Sequence, residues 1–320
     1  MNSNITTLRA FAIIIVVLGH SIILYDPSWT WYVPGQECPF FAELKKIINV
    51  IQMPLFFSLS GYLFYFTIQK YSFTQILRKK TKRLLVPYFM IGFCWMDPIK
   101  ILLKVPHHDN ILNLIKEQII GNMNGHLWFL YTLFALFLAF KLLYTFKIIG
   151  NKTIKYDILI IACLFLCNIF NGIFGPFANI ASYAIFFYLA FFINEYARVL
   201  NNINKLGGVI IMISILIVIS YLLDILPFKL YKCLIACAFI MIIYQIDFKS
   251  ISGNSILKEI SNCSFGIYLF HSPMIYITCT YWNNLNPIFV LFINFIIFGF
   301  IALLITMVLK RTRLKFIIGE

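Results

Sequence analysis

Charge is what this sequence has least of. Asp, Glu, Lys and Arg make up 12% of its 320 residues, where soluble domains carry about 25%. Hydrophobic residues reach 61%, so a soluble globular core is excluded. Acid is the scarcer sign: 12 Asp and Glu stand against 26 Lys and Arg, a net charge of +14. That excess does not point to nucleic acid. The basic residues lie between apolar runs, where they orient a membrane protein and meet anionic headgroups. Metal and disulfide chemistry are also poorly supplied. Seven of the eight cysteines sit in or beside apolar segments, and Cys163/Cys167 and Cys233/Cys237 are spaced i,i+4. No histidine cluster accompanies them at zinc spacing. They read as small packing residues, and no metal is expected. The first apolar run lacks a small-residue cleavage site and is interrupted by His20. It therefore reads as a retained span rather than a signal peptide.

What is present is a series of apolar runs near membrane-crossing length. Ten spans are expected, at about 8–25, 47–69, 84–104, 127–146, 157–174, 179–197, 207–226, 230–247, 262–280 and 287–309. Pro98 is expected to kink the third. No loop is long enough for a soluble domain, and neither a 20–50-residue repeat nor a low-complexity tract is evident. The expectation is an all-α, polytopic protein forming one transmembrane domain over 1–320, multi-pass in the cell's inner membrane. Orientation follows from the loops. "KYSFTQILRKKTKR" carries Lys70, Arg78, Lys79, Lys80, Lys82 and Arg83 with no acid. Lys147, Lys152 and Lys155, and Lys310, Arg311, Arg313 and Lys315, fall on the same side if ten spans alternate. The opposite side receives the 26–46 loop and the neutral "YWNNLNP". Both termini are then cytoplasmic by the positive-inside rule.

Against this background the intramembrane polar residues stand out, because ionisable groups in a span usually face a protein interior or a cavity. Arg9 and His20 share the first run, "LRAFAIIIVVLGH", eleven residues apart. Eleven steps of a helix are three turns plus about 20°, so both project from one face, about 16 Å apart along the axis. Arg9 alone also reads as a positive-inside flank, and His20 alone as a hydrogen-bond partner for a neighbouring helix. An imidazole in such a place can take and return a proton near neutral pH.

This Arg-x10-His spacing resembles the signature of the membrane acyltransferase-3 family. Further stretches resemble it in the same order: "MPLFFSLSGYLF" (Met53 to Phe64), "KTKRLLVPY" (Lys80 to Tyr88), "GHLWFLYTLF" (Gly125 to Phe134) and "SNCSFGIYLFHSPM" (Ser261 to Met274). Together they cover the chain almost end to end. The resemblance implies a multispan enzyme of the short, stand-alone type. It would move an acyl group, commonly acetyl, from cytoplasmic acetyl-CoA or another acyl-CoA. The acceptor would be a hydroxyl of an extracytoplasmic or lipid-linked glycan, with glycan-biosynthesis machinery as a possible partner. One departure concerns the family's Arg-x-x-Arg before the third span. Here Lys80 and Arg83 match it, and lysine keeps the charge but loses the bidentate fork.

Each candidate residue carries a physical role and a plainer alternative. Arg78, Lys79, Lys80, Lys82 and Arg83 suit the phosphates of acyl-CoA, although any cytoplasmic loop is basic. The pantetheine arm would follow the Arg9–His20 face, and His20 would act as general base on the acceptor hydroxyl or as a nucleophile forming an acyl-histidine. His271 would orient His20 or bind acceptor hydroxyls, with Pro273 opening the helix onto a cavity; a satisfied interhelical histidine is the alternative. His126 would line the acceptor entrance, with Trp128 in an interfacial belt. Ser58 and Ser60 would polarise the thioester or let helices pack closely. Asp97 would touch substrate, or form an i,i+3 ion pair with Lys100. His107 and His108 read as a solvated loop. The main rival reading is a transporter or exporter of a glycan or lipid-linked sugar, which would often show inverted repeats. A non-catalytic scaffold is a third, disfavoured by the buried imidazole.

Overall fold

The computed structural model describes residues 3–106, 111–120, 125–197, 206–222, 225–248, 251 and 253–320. Every regular element among them is helical. Six stretches are long and apolar enough to cross a membrane, among them Asn4–Ser21, Pro39–Ile68, Phe73–Leu102, Asn171–Glu195 and Pro287–Lys310. This is a multi-pass, all-α membrane protein. His107 and His108 lie outside the described residues.

The chain groups into two compact units. The first comprises Met1–Asn49, Lys79–Phe134 and Lys249–Glu320; the second comprises Val50–Arg78 and Ala135–Phe248. In the first lie α1 (Ser3–Ser21), the start of α2 (Pro39–Ile68), α4 (Val86–Ile91), α5 (Asp97–Leu102) and α6 (Ile111–Ile120). The second unit holds the rest of α2 and most of α3 (Phe73–Lys80). α7 (Trp128–Thr145) starts in the first unit, which holds it through Phe134, and ends in the second, which continues through α8 (Ile154–Ile169), α9 (Ala178–Glu195), α10 (Leu206–Leu222) and α11 (Phe228–Ile243). The chain then returns to the first unit as α12 (Ser255–Tyr281), α13 (Pro287–Phe292) and α14 (Gly299–Lys310).

Local chemistry explains where the first unit's helices begin and bend. The Asn254 side chain caps α12 by accepting from the backbone N–H groups of Ile256 and Leu257, at 2.9 and 3.1 Å. In "NP", Asn286 caps α13 and Pro287 fills its first position. The expected irregularity of the third span is present and doubled. Widened π turns occupy Thr81–Leu85 and Gly92–Met96, and each precedes a short helix with proline at its second residue, Pro87 and Pro98. A proline ring clashes with the carbonyl four residues back, and the widened turn relieves that clash.

α12 is the hub of the first unit, packed against α1, α14, α4 and α5. Fifteen of its residues are buried, including Ser261, Ser264, Gly266, His271 and Thr278. In the second unit two buried charged groups are paired within the protein. The Asp157 carboxylate accepts hydroxyls from Tyr188 and Tyr196, both at 2.5 Å. The Lys141 ammonium donates to the Ile68 carbonyl at 2.8 Å. Gly61 lets α2 meet α9: a Cβ there would stand 2.7 Å from the Phe187 carbonyl carbon.

Candidate active site

Both unusual residues of α1 face α12. Arg9 Nη2 donates to Ser264 Oγ at 3.2 Å, and His20 Nδ1 lies 2.8 Å from His271 Nε2. The partners ascend together along the two helices, so α1 and α12 run parallel. Eleven residues on α1 rise about 16 Å and seven on α12 about 10 Å. The reach of the arginine side chain takes up the difference.

The histidine pair has a defined polarity. His271 Nδ1 lies 2.7 Å from the Ile267 carbonyl. A carbonyl only accepts, so His271 carries its proton on Nδ1 and offers the Nε2 lone pair. His20 then donates from Nδ1, which leaves the lone pair of a neutral His20 on Nε2. The Ile267 carbonyl, acting through His271, thus sets which nitrogen of His20 is basic. The two rings are stacked, 5.0 Å between centroids. His126 completes a cluster, at 6.2 Å from His20 and 5.8 Å from His271.

His20 and His126 line a cavity of about 300 Å³ with Trp29, Trp31, Trp128 and Tyr276. Trp128 therefore faces the cavity, where the sequence suggested only an interfacial aromatic. Its outer wall is the segment following α1. Asp26 accepts from the Ser28 backbone and side chain and from Asn49. Burial by itself would raise the Asp26 carboxyl, but those bonds and nearby Lys45 hold it below its ordinary value. Lys45 is buried within electrostatic reach of both Asp26 and His20. By sequence it falls in the 26–46 loop; the inward-facing register of α2 is what buries it.

At the other end of α1, Arg9 lies within electrostatic reach of Arg83 and Glu320, and Arg83 also acts on Lys80. The turn Arg313–Ile318 packs against Thr81–Leu85 and α4. Lys82 and Arg83 are exposed, as is Lys79, while Lys80 is half-buried. These residues belong to the first unit. Arg78, Ser58 and Ser60 belong to the second. There the serine hydroxyls close on their own helix, Ser58 Oγ donating to Leu55 O at 2.8 Å and Ser60 Oγ to Phe56 O at 3.0 Å.

Two expectations are corrected. Asp97 and Lys100 are both buried, yet neither carboxylate oxygen nor the ammonium has a hydrogen-bond partner. The i,i+3 pair does not close. Asp97 follows directly on a π turn, and the ammonium sits 5.9 Å from the Trp31 ring centroid instead. Nor does α12 open at Pro273: it runs unbroken from Ser255 to Tyr281. Proline removes the partner of the Leu269 carbonyl, and the His126 ring lies against the backbone at Tyr268 and Leu269. Neither His126 nitrogen is in hydrogen-bond geometry. Among the described residues, no group of three His, Cys, Asp or Glu side chains is placed to hold a metal ion.

A parallel helix pair with a half-buried base at one end and cations at the other suits group transfer. The comparison with known families agrees. The family described as an acyltransferase domain matches residues 2–311, and the chain belongs to that family. The family's description implies the transfer of an acyl group from an acyl donor. Among curated proteins it is similar to the nodulation protein NolL of Sinorhizobium fredii (strain NBRC 101917 / NGR234). That match is 28% identical over 162 residues, 49% of this chain and 40% of the relative. It is also similar to the nodulation protein NolL of Mesorhizobium japonicum (strain LMG 29417 / CECT 9101 / MAFF 303099), 27% identical over 143 residues, 43% of this chain and 35% of that one. The matched segments thus span well under half of those relatives. No solved structure matches.

Proposed function

We propose that the protein moves an acyl group, acetyl first among the candidates, from acyl-CoA at the cytoplasmic face of the inner membrane to a hydroxyl of an extracytoplasmic or lipid-linked glycan. The observation that carries this reading is the single face of α1. It joins a cationic end, Arg9 with Arg83 and Lys80, to a hydrogen-bonded histidine pair beside a cavity. The parallel course of α1 and α12 fits alternating spans in which these two are the first and the ninth, and the basic loops put the termini in the cytoplasm.

The donor's phosphates dock at the basic end, with Arg9 held by Ser264. The thioester reaches His20 along α1. His20 Nε2 takes the acceptor's hydroxyl proton as the oxygen attacks the acyl carbon. The carbon–sulfur bond breaks, and the CoA sulfur leaves with the proton that His20 returns. His271 holds the His20 ring and stabilises its transient charge. His126 and Asp97 belong to the acceptor side.

The test uses membranes with matched amounts of wild type and His20→Ala, fed labelled acetyl-CoA from the cytoplasmic face. Label in the envelope glycan with wild type alone is expected. Equal label with both removes His20 from the reaction, and label in neither turns the test to other acyl-CoAs and to glycan export.

A further inference from the structure

The cavity beside the histidines is rich in tryptophan. Three of the chain's five, Trp29, Trp31 and Trp128, line it with Tyr276. Trp31 joins two of these rings. Trp29 and Trp31 stand 5.7 Å apart at 34°, and Trp31 faces Tyr276 at 6.3 Å and 14°. An interfacial belt would turn such rings toward headgroups; here they turn on one another and on α12.

The wall that carries them is pinned. Tyr32 bonds Thr280 at 2.9 Å, and Gly35 N–H donates to Asn283 O at 3.0 Å. Only glycine fits at position 35, because a Cβ would stand 2.8 Å from Asn284 Cα. The Lys100 ammonium fixes the Trp31 ring at 5.9 Å. The shelf is therefore ordered before anything binds. Its floor is polar: His20 and His126 line it, and both His126 nitrogens lack a hydrogen-bond partner. An apolar occupant would leave those nitrogens unsatisfied.

We propose that Trp31, with Trp29 and Tyr276, is a stacking shelf that seats one pyranose ring of the acceptor, hydroxyl edge toward His20 and His126. This rests on the glycan-acceptor reading above and adds where and how the sugar binds. Axial C–H bonds of a pyranose carry partial positive charge and settle on the negative face of an aromatic ring, while its hydroxyls meet the imidazoles. A cavity of about 300 Å³ is at the small end of ligand pockets, which run about 300–1,000 Å³. It has room for one ring.

The test is saturation-transfer NMR on the full chain in lipid nanodiscs, without donor. The probes are the methyl glycosides of glucose, galactose, rhamnose and N-acetylglucosamine, with mannitol as a ringless polyol. At least one glycoside should receive saturation, strongest on the protons of one ring face, and mannitol none. Trp31→Leu should weaken that binding about tenfold. Trp31→Phe, which keeps an aromatic face, should keep most of it, and Trp282→Leu all of it. No glycoside binding beyond mannitol, or wild-type binding by Trp31→Leu, overturns the shelf, as does equal loss in Trp282→Leu. Because binding needs no donor, glycoside binding without acyl transfer would strike the enzymatic reading alone. Transfer without glycoside binding would strike the shelf alone.

Discussion

Removing His271 tests the chemistry more sharply than removing His20. His271 touches neither substrate in the proposed reaction; it acts through the 2.8 Å contact with His20 Nδ1. When His20 Nε2 takes a proton, that contact becomes a hydrogen bond from a charged ring, worth about 1.5–3 kcal/mol. At 1.36 kcal/mol per tenfold in rate, its loss slows the chemical step by about 10–150-fold. His271→Ala should therefore lower kcat by that factor and leave the KM for acyl-CoA unchanged. His271→Gln places an amide oxygen near the former Nε2 and should recover most of the rate. The assay is steady-state transfer of labelled acetyl by nanodisc preparations, matched by size-exclusion profile because His271 is 0% exposed. A wild-type kcat for His271→Ala would refute the reasoning. So would a loss confined to KM, or a glutamine variant as slow as alanine although equally well folded.

Ser264→Ala removes the acceptor of the 3.2 Å bond from Arg9. It should raise the KM for acyl-CoA about 2–13-fold; an effect on the acceptor alone would contradict the assignment of that end to the donor. Gly61→Ala should destabilise the second unit by about 1–3 kcal/mol, since the new Cβ meets the Phe187 backbone at 2.7 Å. An unchanged thermal melt by fluorescence-detected chromatography would count against that close approach. Asp26 has a folded-state pKa below its ordinary 3.8, so its contribution to stability is present above that value and is lost as pH falls below it. Hydrogen exchange in residues 26–38 should accordingly rise below pH ~3.8 in wild type, and Asp26→Ala should show the faster exchange already at neutral pH. Pairing of the loop independent of Asp26 would leave both curves alike.

Composition and helical spacing already carry the class and one dimension of the site. Apolar length and scarce charge dictate membrane helices, because a lipid-exposed backbone must satisfy its own hydrogen bonds. Helical periodicity placed Arg9 and His20 on one face, since eleven residues nearly close three turns. The prolines at 87 and 98 marked where the third span departs from regular α geometry. Tertiary structure decided what those faces meet. His20 and His271 are separated by 251 residues, and no local pattern states which nitrogen points at which. Lys100 goes to Trp31, and Trp31 folds onto Tyr276 of α12, contacts that no period in the loop residues states. Asp97 and Lys100 show the limit most clearly. Their spacing permits a pair, but the π turn immediately before Asp97 and the aromatic neighbour decide where each charge goes. Spacing along one helix is written in its residues; the partner across the bundle is chosen only when the helices pack.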